Sequence, residues 1–434
     1  MSEIRNSIKS SLWSAKGHWV AFIVCIAIVA GTFNSLASYL AFALAIAAIV
    51  LLTEKDALCL MMMIMPFANI FKTSADAQSF FTYLILFFGF WHFVKHQYIH
   101  TDFLKAFVFL LVYLAVQMSV SVNILRTIKF VANLILIYLA AKSCDGDGIK
   151  KVCLSFVLGI VLSSSVAALN IIPNLSDYIG TKDIRLEYEQ VSRFTGMYAD
   201  PNYYSINVII SLCLIVILNH KKELTAIPAL NLVTLLVMFA ILTLSKSAFL
   251  MLTLPLVLLL YSKVKTRKYF IVLCVLIGCV VTALEVFAGN IEIFNDVLYR
   301  FDQASDVNSL TTGRSNLWGN YLSYLITNPR ALLFGSGFGA GLVNSRAAHN
   351  TYIDMIYYLG LVGTILLIFV FSAMSNIKES PLRRNLLNYS IWICIATMYF
   401  FLSELFYFDW AFHIIIAIGI SRMNMTQVKG DRDD

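Results

Sequence analysis

The chain has 434 residues, of which 59% are hydrophobic and 13% charged, and its mean hydropathy is +0.79. This composition excludes an ordinary water-soluble domain and indicates an all-α polytopic membrane protein. The formal net charge of +7 does not indicate a nucleic-acid partner, because most positive residues lie in short loops between apolar runs, where they orient membrane helices.

The apolar runs predict about fourteen membrane spans, with twelve or thirteen left open because several runs are closely spaced. The basic N-terminal segment has no small-residue cleavage site, so we expect the first span to serve as its own insertion signal. The predicted limits are 17–32, 34–52, 57–71, 79–94, 103–120, 124–141, 152–172, 202–219, 226–242, 246–261, 269–288, 350–374, 386–401 and 404–421.

A cytoplasmic N-terminus places the basic loops "AKSCDGDGIKK", "NHKKE", "SKVKTRK" and "NIKESPLRR" on the same side, as the positive-inside rule requires. The predicted organisation is then a membrane domain at 1–288 that includes an outer loop at 173–201, a large periplasmic loop at 289–349, C-terminal spans at 350–421, and a cytoplasmic tail at 422–434.

Within the large loop, apolar residues at helical spacing predict two short amphipathic helices on the membrane surface, near 291–301 and 317–325. Pro329 is expected to end the second helix. The glycine-rich stretch "LFGSGFGAGLVNSR" follows, and its glycines indicate either a close backbone approach to a ligand or a pliant connection.

Eight cysteines are present, seven of them within predicted spans and Cys144 in a cytoplasmic loop, and no two have CxxC spacing. We interpret them as small buried hydrophobic residues and expect neither a disulfide framework nor a zinc site.

The predicted outer face carries ionisable residues that topology does not require, and each also has a structural interpretation. Those residues are Arg126, Lys129, Arg193, Lys246, Arg314 and His349. Arg126 and Lys129 would reach lipid headgroups, Lys246 would mark a reversal between spans, Arg314 would cap a surface helix, and His349 would cap the span that begins at Asn350.

Taken together, these residues favour chemistry on a lipid-linked diphosphate. Guanidinium groups match phosphate oxygens, and a sugar on a diphosphate already has a good leaving group. The demanding step is then deprotonation of an acceptor hydroxyl. A neutral imidazole at His349, beside the N-terminus of a helix, is suited to that step.

Four motifs occur in an order that resembles the O-antigen ligase and O-antigen polymerase superfamily of bacterial surface-polysaccharide enzymes. They are "RFTGMYADPN", "LTLSKSAFL", "GRSNLW" and "HNTYIDMIYYLGLVG". The resemblance covers roughly residues 190–375.

The resemblance implies a membrane fold similar to class C glycosyltransferases, and transfer of glycan from undecaprenyl diphosphate with inversion and without a metal or other cofactor. It implies catalysis by His349 and diphosphate binding by Arg193 and Arg314, with Lys246 standing where many members carry arginine. Asp200, Asn350 and Asp354 are candidate supporting residues. Asn202 is expected to cap the following span.

The span count and the "DPN" turn favour a repeat-unit polymerase at the periplasmic face of the inner membrane, acting on a lipid-linked oligosaccharide and an acceptor glycan among membrane lipids. A chain-length regulator is a further candidate partner. A ligase that transfers glycan to lipid A core is the alternative, and a lipid-linked sugar flippase is a third.

Asp409 and His413 are the nearest approach to the buried ionisable pair that a transporter requires.

Overall fold

The computed structural model describes residues 16–95, 99–143, 146–179, 193–263, 313–375, 386–403 and 405–422, and every regular element there is helical. The prediction of an all-α membrane protein is confirmed. The helices are α1 (Lys16–Gly31), α2 (Ser35–Leu51), α3 (Glu54–Ile64), α4 (Phe80–Lys95), α5 (Thr101–Met118), α6 (Ile124–Ser143), α7 (Gly146–Ala168), α8 (Leu175–Ile179), α9 (Pro201–His220), α10 (Ala226–Leu242), α11 (Lys246–Lys263), α12 (Arg314–Thr327), α13 (Pro329–Phe334), α14 (Thr351–Ser375), α15 (Leu386–Tyr399) and α16 (Phe408–Arg422).

Five described helices are long and apolar enough to cross a membrane: the helices α5, α6, α7, α9 and α14. Six shorter apolar helices, of 10–17 residues, accompany them. The total of twelve to fourteen spans remains a prediction, since the predicted span at 269–288 lies outside the described residues.

Helix α9 forms the centre of the bundle. Every side chain from Tyr204 to Leu218 is buried, and the helix packs against α7, α10, α11 and α15. A helix that is apolar on all sides and surrounded by other helices has no lipid-facing stripe, so its polar residues must find partners inside the protein.

The predicted span at 57–71 is the short helix α3 followed by a 3-10 turn at Met65–Phe67. Eleven α-helical residues rise only about 17 Å, less than the hydrocarbon core of a bilayer. All side chains from Ala57 to Phe67 are buried, so neighbouring helices shield this segment from lipid.

Polar contacts gather at two opposite ends of the bundle. At one end, Lys150 and Glu223 form an ion pair of 2.5 Å, and the His18 ring meets the Lys151 carbonyl oxygen at 3.2 Å. These residues belong to segments that the predicted topology places together in the cytoplasm. The other end carries the loops that hold the candidate site.

The segment between residues 313 and 349 forms an arm of two helices, α12 and α13, and then a 3-10 turn at Val343–Ser345. The helix predicted near 317–325 is therefore present, whereas the one predicted near 291–301 lies outside the described residues. Pro329 does not simply end α12. It occupies the first turn of α13, where its missing N–H costs nothing.

The first glycine of the glycine-rich stretch packs closely against the backbone of α14. Helix α14 is broken at Gly360 (φ 67°, ψ 178°), and Gly335 packs directly onto this break. A Cβ on Gly335 would lie 2.4 Å from the Tyr358 carbonyl oxygen, and one on Gly360 would overlap the Gly335 nitrogen. The glycines therefore permit contact between two backbones.

Candidate functional site

His349 is held at the start of α14 by its neighbours on both sides. The indole N–H of Trp318 donates to the Ala348 carbonyl oxygen at 3.0 Å. The Asn350 side-chain oxygen accepts from the backbone N–H groups of Tyr352 (3.0 Å) and Ile353 (3.1 Å). Asn350 therefore caps α14, and the interpretation of His349 as the cap is wrong.

The backbone at His349 has a φ of +49°, which L-residues with a side chain seldom adopt. Its neighbours impose this conformation, since Ala348 and Asn350 are both buried and hydrogen-bonded. Unfavourable backbone angles that persist in a tightly held segment are frequent at functional sites. The result is a half-buried imidazole in one fixed backbone setting.

The electrostatic surroundings keep His349 neutral at pH 7. Burial is the largest cause that lowers the pKa of His349 below its ordinary 6.5, and the positive charge of Arg314 lowers it further, while Asp200 acts in the opposite direction. A neutral imidazole has a lone pair with which to accept a proton.

Arg314 begins α12 and interacts electrostatically with both His349 and Asp200. Burial lowers the pKa of Arg314, and Asp200 and Tyr203 partly offset that effect. An arginine remains charged under these conditions. The structure thus brings together Arg314, His349 and Asp200, three of the residues that the sequence predicted for the site.

Arg193 is oriented by a separate hydrogen-bond cluster. Its Nε donates to the Thr243 carbonyl oxygen at 3.0 Å, and one terminal nitrogen donates to Asn202 Oδ1 at 3.4 Å. Ser245 Oγ donates to the same Asn202 oxygen at 2.8 Å. These contacts set the plane of the guanidinium on the side of the site formed by the α10–α11 turn.

The roles of Asp200 and Asn202 differ from the expectation that Asn202 caps the next span. Asp200 is the N-cap of α9, and its Oδ1 accepts from the Asn202 N–H at 2.6 Å. Pro201 begins the helix and carries no N–H, and Asn202 at the second position supplies the N–H that an N-cap side chain accepts. Asn202 instead uses its side chain to link Arg193 with Ser245.

Lys246 is the first residue of α11, directly after the three-residue turn that follows α10. Its backbone position agrees with a reversal between two spans, and its role toward phosphate remains a prediction.

Asp354 lies one turn along α14 from Asn350 and is buried. The positive charge of Arg126 acts on Asp354. The prediction that Arg126 reaches lipid headgroups is wrong. Its Nη1 donates to the Phe338 carbonyl oxygen at 3.1 Å, and its guanidinium lies over the Tyr358 and Phe406 rings.

Sequence reasoning missed this role of Arg126, since a cation near the end of a span is most often explained by headgroups. Lys129 points into the protein as well, over the Phe408 ring at 5.5 Å.

Asp409 and His413 belong to a buried polar network in the helix bundle. Tyr198 OH donates to Asp409 Oδ1 at 3.4 Å. The two His413 nitrogens meet Tyr399 OH at 3.1 Å and Asn207 Oδ1 at 2.9 Å. Protein partners therefore account for both side chains, and this weakens the transporter interpretation.

Within the described residues there is no group of three His, Cys, Asp or Glu side chains that could hold a metal ion. The five described cysteines are buried and form no disulfide with one another: Cys25, Cys59, Cys153, Cys213 and Cys394.

Comparison with known proteins gives one family match. Residues 230–368 match the family described as O-antigen ligase, and this confirms the predicted resemblance to the O-antigen ligase and polymerase superfamily. The matched region contains Lys246, Arg314, His349 and Asp354, whereas Arg193 and Asp200 precede it. No curated protein and no solved structure matches the chain.

Proposed function

Starting from this family, whose members are glycosyltransferase-type enzymes, we propose that the protein polymerises the repeat units of an O-antigen or related surface glycan. The donor is a glycan on undecaprenyl diphosphate, the acceptor is a sugar hydroxyl of a second lipid-linked unit, and the reaction takes place at the periplasmic face of the bacterial inner membrane. The polymerase assignment, rather than the ligase alternative, rests on the predicted span count and the "DPN" turn.

The observation that carries this proposal is the placement of a half-buried His349 at the start of α14, where the positive charge of Arg314 acts on its imidazole and helps to lower its pKa. In the proposed step, the acceptor hydroxyl loses its proton to the imidazole, and its oxygen forms a bond to the anomeric carbon. The bond from that carbon to the diphosphate oxygen breaks on the opposite face, so the configuration inverts. The proton remains on His349, and the leaving diphosphate carries away the electron pair.

Arg314 and Arg193 stabilise the charge that develops on the diphosphate. Forked donors suit phosphate oxygens, and charge stabilisation at the leaving group replaces the metal ion that many glycosyl transfers require. Arg314 lies close enough to His349 to lower its pKa, so a single cation serves both the leaving group and the base.

The test is synthesis of polymer by purified protein in liposomes that contain lipid-linked oligosaccharide. The wild type should produce longer glycans on gels, and His349→Gln should lose the roughly 10² to 10⁴-fold that a general base contributes. Chelators should not change the rate. A well-expressed His349→Gln protein with near-normal polymer synthesis would refute the catalytic assignment.

The two arginines provide a second test. Arg193→Lys and Arg314→Lys keep the charge and lose the fork, so both should cut activity heavily. Arg330 and Arg346 are exposed, and their alanine variants are matched controls that should change activity little. Full activity in both lysine variants would show that these arginines hold headgroups only.

Glycans from a deletion strain decide between polymerase and ligase. Loss of polymer with single repeats retained indicates the polymerase, and accumulation of long lipid-linked polymer indicates the ligase. If the protein were a flippase, its deletion would leave lipid-linked units in the inner leaflet, and the purified protein would give no elongation in liposomes.

A further inference from the structure

The break in α14 leaves backbone carbonyls without the partners that a continuous helix would supply. At membrane depth an unpaired carbonyl costs several kcal/mol. Two backbone donors come from the segment after α13, where Ser336 N–H meets the Tyr357 oxygen at 2.7 Å and Gly337 N–H meets the Tyr358 oxygen at 3.1 Å. Residues outside α14 therefore supply hydrogen-bond donors to the carbonyl groups at the break.

Helix α5 supplies the remaining donors. The Gln117 amide nitrogen lies 2.6 Å from the Phe334 oxygen and 3.1 Å from the Tyr358 oxygen. Tyr113 OH lies 2.6 Å from the Leu359 oxygen. Gln117 is buried, although α5 is otherwise among the less buried of the long helices. We call this meeting of α5, the segment at 334–337 and the break at Gly360 the junction.

Two site-bearing pieces meet at the junction. One is the arm, which has Arg314 at the far end of α12. The other is the outer half of α14, which begins beside His349 and carries Asp354. Closer to the site, the pieces are tied by the Trp318–Ala348 hydrogen bond and by Tyr357, whose ring contacts those of Tyr321 and Tyr324. The junction adds hydrogen bonds at the opposite end of both pieces, and these bonds help to fix the relative orientation of the two.

We propose that Gln117, through the junction, is a positioning residue that sets the placement of Arg314 relative to His349. Tyr113 assists it by holding the Leu359 carbonyl. This inference rests on the proposed function, in which Arg314 stabilises the diphosphate while His349 takes the acceptor proton. Gln117 touches neither substrate nor reacting atoms.

The mechanism predicts an effect that a loss of stability alone does not produce. Displacement of a catalytic group by 1 Å costs about 10²-fold in rate. When the arm loosens, Arg314 moves away from His349 and burial decreases, so the pKa of His349 rises toward 6.5. The acidic limb of the pH–rate profile then shifts upward. A loss of stability alone reduces the fraction of folded protein. It therefore lowers the rate at every pH and does not change the pH at which the acidic limb falls.

The experiment compares Gln117→Leu with Asn219→Leu, a matched control. Asn219 also donates a side-chain amide to a backbone carbonyl, that of Leu224 at 2.9 Å, but it lies at the cytoplasmic end. We expect Gln117→Leu to lower kcat by tenfold or more, on the order given above, and to raise the acidic limb. Asn219→Leu should reduce thermal stability and leave the limb in place. Tyr113→Phe should give a smaller shift in the same direction.

A second measurement does not depend on activity. Spin labels at Asn320 on the arm and Val120 after α5 should give a narrow distance distribution in otherwise wild-type protein and a broad one with Gln117→Leu. Unchanged limb and unchanged distances in Gln117→Leu would overturn the inference. If the acidic limb of the pH–rate profile is the same in His349→Gln as in the wild type, the proposed function is wrong. The spin-label distances then still test whether Gln117 positions the arm.

Discussion

Replacement of His349 and of Asn350, one at a time, separates the catalytic from the structural role at the start of α14. Asn350→Ala removes an oxygen that accepts from two backbone N–H groups in a residue only 2% exposed. Loss of an N-cap costs about 1 kcal/mol, and a buried donor left without a partner costs about 1–3 kcal/mol. We therefore expect Asn350→Ala to lower the free energy of unfolding by roughly 2 kcal/mol.

His349→Gln should leave stability nearly unchanged, because the cap and the Trp318–Ala348 hydrogen bond remain. His349→Gly should even recover part of the roughly 1–2 kcal/mol that a side chain costs in the left-handed region. Activity follows the opposite order. Asn350→Ala retains turnover per folded molecule, whereas both His349 variants lose it.

The assay is thermal unfolding of detergent-solubilised protein together with polymer synthesis normalised to folded protein. Asn350→Asp is the control, since aspartate is an equally good cap. If His349→Gln lost as much stability as Asn350→Ala and kept its turnover, the division of roles between the two residues would be refuted.

Three further outcomes are expected. Asp200→Asn keeps the cap of α9 but removes a negative charge that raises the pKa of His349, so the acidic limb of kcat/KM should move to lower pH; an upward movement contradicts the assignment. Gly335→Ala, at φ +71° with backbone in the way, should destabilise the protein by more than about 2 kcal/mol. Gly319→Ala, within α12 with open space around it, should stabilise it by about 0.5–1 kcal/mol, and thermal unfolding distinguishes the two. A cysteine at Ser309, in the predicted periplasmic loop, should react with an impermeant maleimide in intact spheroplasts, and labelling only after lysis would reverse the topology.

The sequence predicts the helical class, the limits of most apolar helices, and the proximity of Arg314 to His349. These features depend on local pattern, such as hydrophobic length, the helical spacing around Trp318 and Tyr321, and the order of motifs. The expectation that Asn202 caps α9 was wrong, because Asn and Asp have nearly equal capping preference and local spacing did not decide between Asp200 and Asn202. The structural alternative for His349, a cap on α14, was also wrong, since Asn350 caps that helix.

What the sequence did not predict depends on distant contacts. In the sequence, Gln117 is a single polar residue in an apolar span. The carbonyl oxygens that accept its hydrogen bonds lie 217 and 241 positions further along the chain. Arg126 reads as a headgroup anchor, while its acceptor lies 212 positions away. The glycines at 335–341 indicate that another part of the protein can approach the backbone closely. They do not indicate which part does so. A single sequence carries no local signature of such pairings.

The separation between α5 and the break in α14 also bears on biogenesis. Helix α5 leaves the ribosome more than 200 residues before its acceptors, so Gln117 enters the bilayer while the carbonyls of Phe334 and Tyr358 have not been synthesised. Domains of this size assemble through intermediates, and here an early intermediate must keep a buried amide satisfied by other means until translation nears its end. A nascent chain arrested before α14 therefore exposes α5 as a candidate substrate for membrane quality control, and the arm acquires its anchored position only when the last helices arrive.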